Sequence, residues 1–294
     1  MAAAVVLITT GIVLLLMNLG VVDWSLLGAM LRLWPVLIIA IGLDLMIGKE
    51  RKVLGVVAGV VVALLVVPLL WWMAERPDAF RTEILSQSLK GADRAQVKLE
   101  VGVATLRLSS HDDPDKLIKG EVRLADGEEL SRSFIKRGDT AVLRLGYESR
   151  TGAFASVFGE DPTWQVSLTS RVPLQLDVEC GVGSAELDLR RLKVRDLRIE
   201  SGVGRVEVVL PETGRVKARL HGGLGKTVVE VPASMEARIE ATAGVGSVDV
   251  SPDFEKQGNR YVTSKYSGGR NRTDLQVQGG IGSIVIKKAS PRPP

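Results

Sequence analysis

Six consecutive residues, Gly222-Gly-Leu-Gly-Lys-Thr227, spell the end of a phosphate-binding loop. Such a loop cradles phosphates with backbone amides and a lysine. It needs a further glycine five residues before Gly225 and a helix directly after the motif. Leu220 stands where that glycine should be, and Thr227 to Val231 reads as a strand. Nucleotide binding is therefore not expected. His111-Asp112-Asp113-Pro114-Asp115 gathers donors of the kind that hold a divalent cation. It has neither the EF-hand spacing nor its glycine, and reads as a solvated turn. His221 stands beside Gly222 with no second histidine near it, so it reads as a turn residue rather than a ligand. Cys180 is the single cysteine, which excludes internal disulfides and cysteine metal clusters. It is expected as a small core residue. No serine, histidine and acid constellation can be assembled. The expectation is no enzyme: no catalytic residue, no metal site and no cofactor.

The element behind these fragments is a repeat. Gly181-Val-Gly183, Gly202-Val-Gly204, Gly223-Leu-Gly225 and Gly244-Val-Gly246 recur every 21 residues. A fixed period over several copies signals stacked units. The same shift puts Leu187 on Val208, Val229 and Val250, and Leu197 on Ala218 and Ile239. Polar residues alternate with these, as half-buried strands require. Each unit then reads as a strand, a Gly-x-Gly corner, a second strand and a turn. Tandem corners also explain the glycines better than a dinucleotide fingerprint does. A shift of 36 places Gly280-Ile-Gly282, Leu275, Val277, Ile284 and Ile286 on the Gly244 copy, and a shift of 79 places Gly102-Val-Ala104 on the Gly181 copy. Whether the strands wind as a parallel solenoid or pair partly as hairpins stays open. Between copies, 118–124, 140–145 and 164–168 read as strands, with a charged loop between the first two. Residues 149–162, with Phe154 and Phe158, read as a loop.

The chain has 294 residues, 46% of them apolar, and a net charge of +4. A mean hydropathy of +0.18 is high for a soluble domain. Five of the 38 basic and four of the 34 acidic residues lie in 1–76, so the remainder is nearly balanced. Nothing forms the basic stripe of a nucleic-acid binder. Ala2–Leu19 and Val53–Met73 are apolar segments of the length that crosses about 30 Å of hydrocarbon, and Leu33–Gly48 is a shorter one that reaches that length only by extending back to Leu26. A signal peptide is the competing reading for the first, but no basic region precedes it. Asp44 is either a functional intramembrane acid or one reaching the interface near Lys49. Lys49-Glu-Arg-Lys52 is the compact basic loop expected to stay cytoplasmic, which places the β domain outside. Arg32, Arg76 and Arg81 weigh the other way.

The run Gly11 to Gly20, Leu33-Trp-Pro35 and Ile38 to Gly42 resembles the LiaI/LiaF-type transmembrane region. Val172-Pro-Leu174, Gly181 to Leu189, Ser201 to Gly204, Leu210-Pro211, Val231-Pro232 and Gly280 to Ile284 resemble the toastrack domain of LiaF-like bacterial membrane proteins. The resemblance implies an all-β stacked-strand fold, here with 21-residue repeats, behind an α-helical membrane region. The expected division is 1–76 membrane region of about three helices, 77–90 connector, 91–288 β domain and 289–294 disordered tail. Relatives commonly have four membrane segments. The resemblance further implies a regulatory or scaffold role in envelope-stress signalling, beside a sensor kinase, another stress regulator or a cell-envelope component. A structural or adhesive surface module is the alternative. In a bacterial family the sequon Asn271-Arg-Thr273 is incidental.

The insertion around 251–272 is the expected contact surface, through Phe254, Tyr261, Tyr266 and Arg270, or else a loop covering the end of the stack. Lys287 and Lys288 read either as contacts to anionic lipid or as guards of a last edge strand.

Overall fold

Alternation along each repeat changes phase at its glycines. Leu174, Leu176 and Val178 are buried at even positions, and Ala185, Leu187 and Leu189 at odd ones. A straight strand would turn the second set to solvent, because a shift of one residue reverses every side chain. The corner restores them to the inside, and both sets join one core cluster.

The structure, a computed model, describes residues 81–124, 128–149 and 162–289. The chain divides into Met1–Pro77 and Asp78–Pro294, and the described residues all lie in the second unit. The three apolar segments, Asp44, the basic loop and Phe154/Phe158 lie outside the described residues. Among the described residues no helix is long and apolar enough to cross a membrane.

The strands are β1 (Arg81–Ser88), β2 (Arg94–His111), β3 (Lys116–Leu124), β4 (Glu128–Arg137), β5 (Thr140–Ser149), β6 (Thr163–Thr169), β7 (Leu174–Asp188), β8 (Val194–Val209), β9 (Arg215–Val231), β10 (Glu236–Val250), β11 (Glu255–Gln257), β12 (Arg260–Val262) and β13 (Arg272–Lys288). The long strands β2, β7, β8, β9, β13 and β10 stack in that order, in parallel. Residues 21 apart pair across β7, β8 and β9, as in Leu187 with Val208 and Val208 with Val229. Hairpins close both ends. The first arm of β2 pairs with β5, which carries β4, and its second arm pairs with β6, which leads to β3 and β1. At the far end β12 covers the first arm of β10.

Five expectations change. The connector 77–90 carries β1, whose period was hidden because Ile84 points out and Gln87 points in. The charged loop after β3 contains β4, where mainly Leu130 and Phe134 touch the core. Ile239 does not stack on Ala218: β13 lies between β9 and β10, so Leu275 faces both residues. β13 is accordingly no edge, and Lys287 pairs with Glu230 at 3.0 Å instead of guarding one. In the expected tail, Ala289 still donates its amide to Val231 O.

The corner explains its own composition. Gly183, Gly204, Gly225, Gly282 and Gly246 have φ between +131° and +141°, where a side chain is strained. At the first glycine of each corner a Cβ would press on the carbonyl oxygen of the corresponding glycine on the preceding strand. The stack closes to strand spacing because every layer omits the same atom.

Candidate functional site

The insertion after β10 is an ordered end-cap. A turn from Ser251 leads to Phe254, whose amide donates to Ser251 O at 3.1 Å. Phe254 is only 4% exposed and belongs to the core cluster. It plugs the end of the stack and is not the contact residue its sequence context suggested. Gly258 turns β11 into β12 with φ +64°. Tyr261 stands beside Ile239 and packs half-buried on the core, with Lys256 5.9 Å from its ring centre.

Tyr266 opens a short 3-10 turn, Tyr266–Gly268. Its hydroxyl donates to Asp274 Oδ1 at 2.6 Å. Arg238 lies 5.1 Å from the ring centre and Arg272 5.9 Å. Arg238 Nε donates to the same Asp274 oxygen at 2.7 Å. Burial first, then the Asp274 carboxylate, pushes the Tyr266 phenol up, and the bond to Asp274 raises Arg238. Arg270 is exposed beyond these residues. Lys217, Arg219, Glu240 and Arg260, together with Arg238 and Asp274, line an adjacent open groove of about 350 Å³ on the outer face of the first arm. The structure thus brings Tyr261 and Tyr266 to one edge of the stack, while Phe254 goes inside. Sequence reasoning missed Arg238, Arg260 and Asp274. The signal was available: shifts of 21 and 36 put Lys217, Arg238 and Asp274 in one outward row.

Groups with latent chemistry are tied up or masked. Gly222–Thr227 lies inside β9, with Thr227 buried, so no helix N-terminus faces a phosphate. Asp112 is held by Ser170 and Arg191, which lower its carboxyl. Asp113 accepts from the Asp115 amide at 3.1 Å. Among the described residues no three His, Cys, Asp or Glu side chains are grouped to hold a metal. Cys180 is half-buried, and burial pushes its thiol up to about 11, which disfavours the thiolate that reacts. Asp177 buries an unpartnered Oδ1, and burial raises its carboxyl.

His111 is 7% exposed, accepts from the Asp113 amide at Nδ1, and leaves Nε2 without a partner. Burial, then Lys119, lowers its imidazole. The unfolded chain therefore takes up this proton first. Stability falls as pH drops below about 6.5, until the folded imidazole also protonates. Thermal melts from pH 7.5 to 5 should show a steeper decline for the native chain than for His111→Gln; parallel declines would remove the assignment.

Residues 76–230 match the family model described as the N-terminal domain of toast_rack, DUF2154. Residues 1–46 match the LiaI-LiaF-like transmembrane region, which associates the chain with a membrane. A crystal structure of a candidate cell adhesion protein from Clostridium sporogenes is similar at TM-score 0.66 and 23% identity, covering 71% of this chain and 100% of that one. That likeness concerns the fold. A candidate adhesin from Bacteroides fragilis covers 70% and 97% of the two chains, at 11% identity and a TM-score of 0.26 too low to bear on the fold. A search of curated proteins finds no match.

Proposed function

Because the chain belongs to the toast_rack N-terminal domain family, we propose that it is a non-enzymatic, membrane-anchored regulatory or scaffold module of the bacterial envelope-stress response. One observation carries the reading: a LiaI-LiaF-like membrane region and a toast_rack domain occur on one chain. The 21-residue unit is the building block of its rack, a reading supported by the in-register pairs of β7, β8 and β9. The β domain binds a sensor kinase, another stress regulator or an envelope component through the edge that bears Tyr261, Tyr266 and Arg270. The first arm's outer face suits this task. It carries the open groove beside Tyr266, and its charges are paired, as in Arg198 with Glu200 and Arg238 with Asp274.

Deleting the gene should change the output of a promoter induced by cell-wall antibiotics several-fold. Crosslinking in native membranes should recover a signalling protein or wall component. An unchanged promoter together with an empty crosslink would overturn the proposal. A surface-adhesive role, the alternative suggested by the Clostridium protein's description, additionally requires the β domain outside. Protease shaving of intact cells that leaves the domain whole would remove that alternative.

A further inference from the structure

Among the described residues, seven large apolar side chains are markedly exposed, and five of them share one line. They are Val182, Val203, Leu224, Ile281 and Val245, each the middle residue of a Gly-x-Gly corner. Adjacent members pair directly, and Val103 extends the row beside Val182. At a strand spacing of about 4.8 Å the five form a ridge roughly 19 Å long. They are 46–65% exposed and contribute little to the core. Folding demands the flanking glycines, but a threonine would serve the strand equally well at the middle position. Core packing therefore does not explain why all six middle residues are aliphatic.

We propose that this ridge dips into the surface of a lipid bilayer. Membrane association comes from residues 1–46, and the apolar segment Val53–Met73 ends only eight residues before β1 begins at Arg81. A bilayer is thus present at high effective concentration, so modest affinity suffices. The ridge is one side chain wide with glycine on both sides. A second copy meeting it would bury far less than the about 800 Å² per partner that a stable interface needs. A fluid acyl boundary needs no matching shape and rewards each aliphatic group by burial. In the next row stands exposed Lys226, placed to meet anionic headgroups, beside Arg205, which pairs with Glu207 at 3.0 Å. The acids behind the ridge are already engaged: Glu179 with Lys98 and Glu200 with Arg198.

The test uses the full chain with Cys180→Ala, one copy per nanodisc of phosphatidylcholine and phosphatidylglycerol. Spin labels are placed singly at positions 203 and 224 on the ridge, and at 186 and 276 on the outer faces of the arms. The ridge labels should show several-fold higher oxygen-to-nickel accessibility than the controls, as lipid contact gives. Val203→Ser with Leu224→Ser should keep the melting midpoint while weakening the approach of the remaining ridge to lipid. Aqueous ridge labels in single-copy discs would overturn the proposal. Shielding seen only in two-copy discs would replace lipid by a second copy, and shielding seen only in native membranes would replace it by another protein. The readout needs no signalling partner, so its failure is separable from failure of the envelope-stress assignment.

Discussion

Gly204→Ala should lower the stability of the β domain by about 4 kcal/mol or more, enough to place it among exceptional single substitutions. Two costs add. The residue sits at φ +138°, and holding a non-glycine residue there costs about 1–3 kcal/mol. The new Cβ would also overlap the Gly183 carbonyl oxygen, which is fixed backbone in a ladder paired on both sides. Relief would require parting β7 from β8 at the centre of the stack. Gly214→Ala is the control, because φ there is +97° but nothing lies within 4 Å of the added Cβ. It should cost only the backbone term. Thermal melts followed by circular dichroism would measure both. Equal losses at the two positions would mean that close approach between layers does not require the corner glycines.

Leu275→Asp should abolish the folded domain. Leu275 is 1% exposed and lies between Ala218 and Ile239. A carboxylate there is desolvated on both sides with no cation opposite it, at a cost of several kcal/mol. Domains of this kind hold only about 5–15 kcal/mol in total. The outward-facing Val285→Lys, farther along the same strand and paired with Asp249, should be nearly silent. Protease resistance of the domain in membranes would distinguish them. Survival of the Leu275→Asp domain would argue that β13 lies at the rim of the stack and not between β9 and β10.

The candidate site was only half legible. Tyr261, Tyr266 and Arg270 stood out as aromatic and basic residues in an interruption of the repeat. Phe254 carried the same signal, yet it is the plug. Nothing local separates an aromatic residue that closes a core from one that faces a partner, since the difference is which strand end it meets. Arg238 and Asp274 were hidden because their meaning lies in a row across strands, not along one. The ridge was equally present as letters, but its exposure depends on which way each corner turns.

Sequence alone located the corners and the columns. The Gly-x-Gly positions and the apolar residues that pair in register across β7, β8 and β9 follow from steric rules acting within one or two strands, and such rules are written locally. Tertiary structure alone decided the order of layers. The Gly244 and Gly280 copies bear the same pattern, so either could rest on β9 by local rules. The chain places β13 there, giving its buried Leu275, Val277, Ile284 and Ile286 partners on both sides. β10 is left outside, with Val248 and Val250 only partly buried and its first arm covered by β12. That choice depends on burial summed over the whole stack, which no single repeat encodes.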